Sequence, residues 1–546
     1  MAVRVNLHGK QGLLVDDMPE MRSAMRIQLS DVGLEQCDTA RNVKEAFEHL
    51  AQKRYDLIVC DYNLGQGADG QQFLELVRRK HVLPLSTAFL MVTGETGYEQ
   101  VATAAEYAPD DYLLKPFTAE LLGTRLTRIL DKKAALAPIY RWMGTGALDK
   151  GEPDKALAAC EAIIAAGGRY ALDAQRLKGE LLLSLGRAAE AQAVYEGVLA
   201  QRATPWAVVG LARTELATGH DGEAREMFEQ ALVAYPNYLA AYDSLAHLLA
   251  RTDKVAAQEV VEQALKVAPS TQRTRELGGL AIENRDFERA ESAFRRVVEK
   301  DRTGFFKSHD DYAGLAKSYV EQGKTVEALG AVRDMGSAFA RSPELAARQA
   351  AVECQVHVRA GNPEAAKAAL DKALKIQQST RLDATTALEV AQACFAGGRA
   401  DDAKSIIQAV AEDHHENDAV LARAQSVFAA AGLEDEGTVF LEATRKRMIK
   451  LNNDAVALAK SGQLDEAVAM LSEAADRLTN NAQIALNAAL ALLMDAHRNG
   501  AEGARIAQAH AYILQARQAN AAHPKLAEVS QFYRRIAPAG SPALPG

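Results

Sequence analysis

The feature that most constrains this chain is a small residue that recurs at a fixed interval through its centre. Alanines at four positions follow one another every 33 residues: Ala191, Ala224, Ala257 and Ala290. Each comes five residues after a break in the helical pattern, and a larger apolar residue follows four positions later. A small residue lets two antiparallel helices approach, and the larger one fills the gap toward the next pair. The pattern predicts stacked helical hairpins, because one hairpin cannot bury its apolar face alone.

The repetition continues on both sides of this central run. The same five-residue offset is found in the pairs Gly151/Ala156, Gly323/Ala328, Gly361/Ala366, Gly398/Ala403 and Gly462/Ala467. After Ala290 the interval lengthens to 37 or 38 residues, which predicts longer helices or turns there. We expect an all-α array of about nine to ten helix pairs over 153–480, a helical cap over 481–536 and a disordered tail over 537–546.

These hairpins resemble tetratricopeptide repeats, over about residues 137–480. The resemblance implies a solenoid that binds a protein or peptide client in a concave groove lined by the first helix of each pair. Arg176, Trp206 and Arg213 occupy positions of these helices that face the groove in that family. The resemblance therefore implies that these three residues contact the client.

The first 130 residues have a different pattern, in which short branched apolar runs alternate with helical segments. The runs are 12–15, 34–39, 56–60, 88–92 and 112–114. Alternation of this kind predicts βαβ units on a parallel sheet. We expect a doubly wound five-stranded α/β domain over 1–131, followed by a connector with the first repeat helix over 132–152.

Polar residues stand directly after four of the predicted strands. Asp16 and Asp17 follow the first, Asp61 the third, Thr93 the fourth and Lys115 the fifth. In a parallel sheet these strand ends share one edge, so the side chains should converge there. Clustered carboxylates repel one another unless a hard cation neutralises them, and Mg²⁺ prefers oxygen ligands. The sequence predicts a magnesium site at this edge.

The same group suits phosphoryl transfer to a carboxylate. Asp61 is the predicted acceptor, because it follows the most central strand and has carboxylates on one side and Thr93 and Lys115 on the other. Asp16 and Asp17 would hold the metal, while the hydroxyl and the ammonium contact the transferred group.

At this point the residues resemble the receiver domain of bacterial two-component response regulators, over about 10–131. The matching segments are Leu13-Leu14-Val15-Asp16-Asp17, Val59-Cys60-Asp61-Tyr62-Asn63-Leu64, Met91-Val92-Thr93-Gly94 and Asp111-Tyr112-Leu113-Leu114-Lys115-Pro116-Phe117. The resemblance implies that the backbone carbonyl of Asn63 joins Asp16, Asp17 and Asp61 around Mg²⁺. It implies that Tyr112 changes rotamer with phosphorylation through Thr93.

The resemblance has three further implications for the residues around the site. The Lys115-Pro116 peptide bond should be cis. Asn63 and Glu95 form the pair found in fast-cycling chemotaxis receivers, where these positions set the rate of self-dephosphorylation. Gly65 departs from the family, which often has proline there, so the loop after Asp61 should differ.

The composition limits the functions open to the chain. Its 546 residues carry a formal net charge of -9, whereas proteins that hold nucleic acid usually present a strongly basic face. The first residues contain no signal-peptide core, and no stretch reaches about 18 consecutive apolar residues. Five scattered cysteines favour reduced thiols over a disulfide framework or a zinc site. We expect a cytoplasmic protein with no nucleic-acid partner and no membrane insertion.

Together the two parts predict a response regulator of a phosphorelay that is not an enzyme apart from its own phosphorylation and dephosphorylation. A histidine kinase or phosphotransfer protein would phosphorylate Asp61 with Mg²⁺, and the modified domain would change how the repeats bind a protein client. The alternative is a constitutive repeat scaffold whose receiver is not phosphorylated.

Overall fold

The computed structural model describes residues 7–65, 69–79, 82–94, 109–143, 151–300, 307–500, 503–521, 523–538 and 540–544. The chain divides into two compact units, Met1–Ser318 and Tyr319–Gly546. The first unit contains an α/β domain and the first helical hairpins. The second unit consists of further helices.

The α/β domain is built on a parallel sheet of five strands in the order β2-β1-β3-β4-β5. The strands are β1 Gln11–Val15, β2 Gln36–Ala40, β3 Leu57–Asp61, β4 Ala88–Thr93 and β5 Asp111–Leu114. All four pairings are parallel. The predicted doubly wound sheet is confirmed, and each strand lies within a few residues of its predicted position.

The core of this domain lies on both faces of the sheet. Every residue of β3 is buried, as expected for a central strand with a continuous apolar run. Because side chains alternate along a strand, Ile58 and Cys60 belong to one apolar cluster, whereas Leu57 and Val59 belong to the cluster on the opposite face.

Four described helices accompany the sheet: α1 Pro19–Asp31, α2 Val43–Gln52, α3 Gly70–Arg79 and α4 Ala119–Tyr140. Asn42 caps α2 by accepting a hydrogen bond from the Glu45 amide, and Thr118 caps α4 in the same way. Each cap fixes the residue at which its helix leaves the preceding loop.

Helix α4 is shared by the sheet and the first hairpin. Its residues Leu126 and Ile129 pack in the core of the sheet domain. About two to three turns later, Leu136 and Ile139 pack in a cluster with Cys160 of the first hairpin. The predicted boundary at residue 131 therefore falls inside a continuous helix.

Helical hairpins follow. In the first unit the helices are α5 Pro153–Ala166, α6 Ala171–Ser184, α7 Ala188–Leu199, α8 Pro205–Ala217, α9 Asp221–Ala234, α10 Leu239–Leu249, α11 Lys254–Val267, α12 Thr271–Glu283 and α13 Phe287–Lys300. Helix α14, His309–Glu321, spans the division between the units. The second unit continues with α15 Thr325–Ala338, α16 Pro343–Arg359, α17 Pro363–Ser379, α18 Ala384–Ala396, α19 Ala400–Asp413, α20 Asp418–Ala430, α21 Glu434–Lys460, α22 Leu464–Arg477, α23 Ala482–Asn499, α24 Gly503–Ala519 and α25 Lys525–Ile536.

The large apolar residues of the repeat pattern insert between neighbouring helices. Tyr195 of α7 is buried against Gly179 of α6 and Gly210 of α8. A Cβ atom would lie 2.6 Å from the tyrosine ring at the first glycine and 2.4 Å at the second. Phe294 is held by two glycines in the same way. These contacts confirm that the large residue fills the gap toward the next pair.

Turns between the paired helices use left-handed backbone. The glycines with positive φ at these turns include Gly186, Gly219, Gly323, Gly361, Gly398, Gly432 and Gly462. At the equivalent turn between α12 and α13 the residue is Arg285, with φ of 60°. At this turn the left-handed geometry is thus kept although glycine is missing.

The lengthened interval after Ala290 coincides with longer helices. Helices α16 and α17 have 17 residues each, compared with 11 to 14 in the hairpins from α5 to α13. Farther on, α21 continues for 27 residues without a break. No glycine or proline interrupts residues 438–460, so the second helix of one pair runs on into the first helix of the next.

The last helices form a core of their own, and part of the predicted disordered tail lies against it. The Tyr533 hydroxyl donates a hydrogen bond to the Pro542 carbonyl at 2.9 Å, and Leu544 packs on the cluster formed by the last helices. Among the described residues, no helix is both long and apolar enough to cross a membrane.

Candidate functional site

The sheet brings two acidic residues together at its carboxyl edge. Strands β1 and β3 pair in a register that sets Val15 opposite Cys60, so Asp16 and Asp61 lie side by side where the strands end. The Asp16 side chain is fully buried, and Asp61 is almost fully buried. Two carboxylates held this close in a shielded site need positive charge nearby.

Lys115 supplies positive charge from the end of β5. Its backbone amide donates to the Thr93 carbonyl at 2.7 Å, which extends the pairing of β4 and β5 by one residue. Its Nζ atom lies 3.1 Å from Asp16 Oδ2 and 3.0 Å from Asp61 Oδ2. The following Lys115-Pro116 bond is cis, as predicted.

These contacts set the charge states of the group. Burial raises the pKa of Asp61, while the hydrogen bond and charge of Lys115 act in the opposite direction. Burial alone would lower the pKa of Lys115, but its bonds and attraction to the two carboxylates outweigh that effect and raise it. The lysine is therefore a stable cation between the acids.

The acidic residues form a donor set that suits a hard cation. Oxygens of Asp16, Asp17 and Asp61 all lie within 4.8 Å of one another. Beside them Gly65 has φ of 71°, and a Cβ there would lie 2.6 Å from Asp17 Oδ2. Proline cannot adopt this φ, which explains the departure of the loop from the family pattern. Carboxylate oxygens in a tight cluster fit Mg²⁺.

Other predicted site residues lie around this cluster. Asn63 follows β3, and its side-chain oxygen accepts a hydrogen bond from the Gly65 amide at 3.1 Å. Thr93 is buried at the end of β4. Tyr112 is buried on β5, and burial together with the nearby groups of Tyr62 and Glu75 raises the pKa of its phenol. Glu95 lies outside the described residues.

Two residues that the sequence did not single out hold Asp16 in place. The Met18 amide donates to Asp16 Oδ1 at 2.9 Å, and the Arg22 guanidinium donates to the Asp16 carbonyl at 2.6 Å. Both belong to the turn and first helix after β1, where Pro19 marks the start of α1. Pro19 is the sequence feature that could have predicted where this helix begins, because proline favours the first helical position.

The three predicted client-binding residues take part in packing or in local pairs. Arg176 is paired with Glu180 on its own helix at 2.8 Å. Arg213 donates to the Ser244 hydroxyl on the first helix of the next pair at 3.0 Å. Trp206 lies edge-on to Tyr195, with ring centroids 6.1 Å apart. The prediction that they contact a client stays open.

Stronger charge pairs connect the first helices of later hairpins. Arg273 of α12 binds Asp243 of α10 through two bonds of 2.7 and 2.6 Å. Arg275 of the same helix binds Asp311 of α14 at 2.8 Å. No sequence pattern predicts these pairs, because single charged residues on helices carry no signal of a partner 30 or more positions away.

The fold and the group at its edge define a receiver-class domain. Residues 13–127 match the family described as response regulator receiver domain. Over 120 residues the chain is 32% identical to the chemotaxis protein CheY-3 of Vibrio cholerae, spanning 22% of this chain and 91% of that protein. It is 33% identical to CheY of Pseudomonas aeruginosa over 124 residues, spanning 22% of this chain and 95% of that protein. The chain thus belongs to the response regulator receiver family.

The helical part matches repeat families. Residues 182–249 match one tetratricopeptide repeat family, and residues 143–205 and 354–414 match another. Solved structures that resemble this part include a repeat protein of Cytophaga hutchinsonii, with 14% identity, a TM-score of 0.34 and coverage of 42% of this chain and 92% of that one. A repeat protein of Parabacteroides merdae has 15% identity and a TM-score of 0.29, covering 45% and 93%. The receiver is therefore followed by tetratricopeptide repeats.

Proposed function

We propose that this protein is a phosphorelay response regulator in which Asp61 accepts a phosphoryl group and the repeats bind a protein client. The arrangement of Lys115 between two carboxylates carries the proposal: its ammonium lies 3.0 Å from Asp61 and 3.1 Å from Asp16. A buried nucleophile beside a fixed cation is what transfer of an anionic group to a carboxylate needs.

Each residue has a defined part in the transfer. An Asp61 carboxylate oxygen attacks the phosphorus of a phosphohistidine, so an O–P bond forms as the N–P bond breaks, and the leaving imidazole takes up a proton. Lys115 and the Thr93 hydroxyl contact the phosphoryl oxygens. Asp16, Asp17, Asp61 and the Asn63 carbonyl would hold Mg²⁺, which neutralises charge that develops on those oxygens.

The output that we propose is protein binding rather than catalysis or DNA binding. The repeat array offers a long surface of helices, and the net charge of -9 disfavours a nucleic-acid partner. The phosphoryl donor would be a histidine kinase or a phosphotransfer protein in the cytoplasm. By analogy with fast-cycling receivers, Asn63 and Glu95 would make the phosphorylated form short-lived.

The test is the intact mass of the full-length protein after incubation with Mg²⁺ and acetyl phosphate. We expect one phosphoryl adduct on the wild-type protein and none on Asp61→Asn. Removing Mg²⁺ with a chelator should prevent the adduct on the wild-type protein.

A folded wild-type protein that takes up no phosphate under these conditions would contradict the proposal. It would favour the alternative that the protein is a constitutive scaffold. Circular dichroism of the same samples separates loss of chemistry from loss of fold.

A further inference from the structure

The outer face of receiver helix α3 is covered, although the corresponding face of a helix on a sheet ordinarily contacts water. The inner residues Phe73 and Val77 belong to the sheet core. On the other side of the helix, Gln72 and Leu76 are 6% and 7% exposed. A second surface must therefore shield α3, and it lies within the same compact unit.

That surface is formed by the start of α12 and the end of α13. Gln72 Nε2 donates a hydrogen bond to the hydroxyl of Thr271, the first residue of α12. Lys300, the last residue of α13, lies with its Nζ 2.8 Å from Asp69 Oδ2. Thr271 and Gln72 are both buried, so their hydrogen bond is shielded from water, whereas the Lys300 side chain stays partly exposed.

Glu75 is the third polar residue of this contact. Burial raises the pKa of its carboxyl to about 7, Arg273 acts to lower it, and the carboxylates of Asp69 and Asp243 act to raise it. Arg273 is buried and already bound to Asp243. Arg273 thus attracts the Glu75 carboxylate, but burial and the two neighbouring carboxylates outweigh this attraction, so the contact favours the protonated carboxyl.

The two surfaces are complementary in charge and spacing. Residues 69, 72 and 75 recur every third position and so lie along one side of α3. They present a carboxylate just before the helix, an amide and a carboxyl group that favours its protonated form, opposite an ammonium, a hydroxyl and a guanidinium. We call the second group, Thr271, Arg273 and Lys300, the acidic-helix site.

We propose that the acidic-helix site is where the repeat array binds its protein partner, that the partner presents a helix with two acidic residues spaced like Asp69 and Glu75, and that α3 occupies the site in cis until Asp61 is phosphorylated. This inference rests on the proposed function for the release step. The site itself rests on the contacts of α3 alone.

The first turn of helix α3 lies directly beside Asp61, the proposed phosphoacceptor. A Cβ at Gly70 would lie 2.2 Å from the Asp61 carbonyl oxygen, and the Gly70 amide donates to the Tyr62 carbonyl at 2.8 Å. A shift of the loop after Asp61 therefore displaces the first turn of α3. Asp69, which precedes this turn, also caps it through the Gln72 amide at 2.8 Å.

The test uses a fluorescent peptide of residues 69–79 and the full-length protein, with binding followed by anisotropy. In wild-type protein α3 competes with the peptide, so binding is weak. Glu75→Arg in the protein removes the competitor, and we expect the peptide to bind at least about fivefold more tightly. Adding Lys300→Glu to that variant should return binding to the wild-type level. A peptide with lysine at positions 69 and 75 should bind none of the proteins.

A milder variant guards against misfolding of the receiver. Asp69→Asn keeps the helix cap but removes the ion pair with Lys300, and a smaller increase in peptide affinity is expected. Equal binding of the peptide by wild-type, Glu75→Arg and the double variant would overturn the acidic-helix site. If the peptide with lysine at positions 69 and 75 binds as tightly as the native peptide, the proposed acidic chemistry of the partner is wrong.

Release of α3 on phosphorylation is tested separately, by the effect of a phosphoryl mimic on peptide affinity. Wild-type protein with Mg²⁺ and beryllofluoride should bind the peptide more tightly than without it. If the intact mass shows an adduct on Asp61 and peptide affinity stays unchanged, release through α3 is wrong while phosphorylation stands. If no adduct forms but Glu75→Arg still opens the site, the proposed phosphorelay fails and the acidic-helix site stands.

Discussion

A single glycine, Gly65, determines whether Asp17 can reach the other acids. Its φ of 71° turns the loop after β3, and the space a side chain would take is filled by the Asp17 carboxylate. Only glycine adopts this backbone without strain while leaving that space open. The position that departs from the family pattern is thus fitted to the cation site.

Replacing Gly65 with alanine should weaken Mg²⁺ binding by roughly tenfold, because the new Cβ displaces Asp17. Isothermal titration of the receiver in the full chain measures the affinity. Gly9→Ala is the matched control, since Gly9 has a similar φ of 75° but open space around it. Equal Mg²⁺ affinity in the two variants would show that the contact of residue 65 with Asp17 does not control cation binding.

At residue 285 a residue with a side chain occupies a backbone conformation that favours glycine. Arg285 holds an exposed left-handed conformation that costs a residue with a side chain more than it costs glycine. Arg285→Gly should raise the free energy of unfolding by roughly 0.5 to 1 kcal/mol, allowing for the added freedom of the unfolded chain.

Denaturant unfolding of the full chain gives this value. Thr252→Gly is the control at the corresponding turn one repeat earlier, where φ is not positive. That substitution should lower stability, and an equal gain in both variants would contradict the explanation from backbone strain.

At the scale of elements, two aromatic rings of the array, Tyr195 and Phe294, each pack between a pair of glycines on neighbouring helices. Gly210→Ala would put a Cβ 2.4 Å from the Tyr195 ring, and a ring enclosed on both sides cannot turn away. We expect a loss of about 1 to 3 kcal/mol in the free energy of unfolding.

The matched control for this substitution lies on the helix that carries Tyr195. Gly197 is exposed with nothing near its missing side chain, so Gly197→Ala should stabilise α7 by about 0.5 to 1 kcal/mol. Thermal unfolding of both variants compares them. A gain in stability from Gly210→Ala would show that the helices can move apart at this contact.

Elements whose formation depends on residues close to one another in the chain were predictable from sequence. The strands follow from short apolar runs, and Asp16, Asp61 and Lys115 follow from their places at strand ends. The fused helix α21 was not predicted, since the repeat anchors on either side suggested a break. The α3 contact was beyond sequence reasoning, because Gln72 and Thr271 are 199 positions apart and the outer face of α3 resembles any solvated face.

At the scale of the whole molecule, the contact between α3 and the repeats should depend on pH. The Glu75 carboxyl has a pKa of about 7 in the contact, above its ordinary value of 4.5, so docking takes up a proton. The stabilisation is full below 4.5 and is lost as pH rises through 7. Arg273, Asp69 and Asp243 are the charged groups that act on it.

Affinity of the peptide of residues 69–79 for the Glu75→Arg protein should therefore rise about tenfold between about pH 8 and about pH 6. Anisotropy titrations at each pH give the constants. A peptide with glutamine in place of Glu75 is the control and should show little change. If both peptides respond alike, another group is responsible for the pH dependence.

The continuous helix α4 has a consequence for timing. Because α4 packs both in the sheet domain and in the cluster of the first hairpin, α3 remains near the acidic-helix site at a high effective concentration even when released. Return to the site is then an intramolecular step, independent of how much protein is present. The duration of a response would then be set by the lifetime of the acyl phosphate, which is a property of the single molecule.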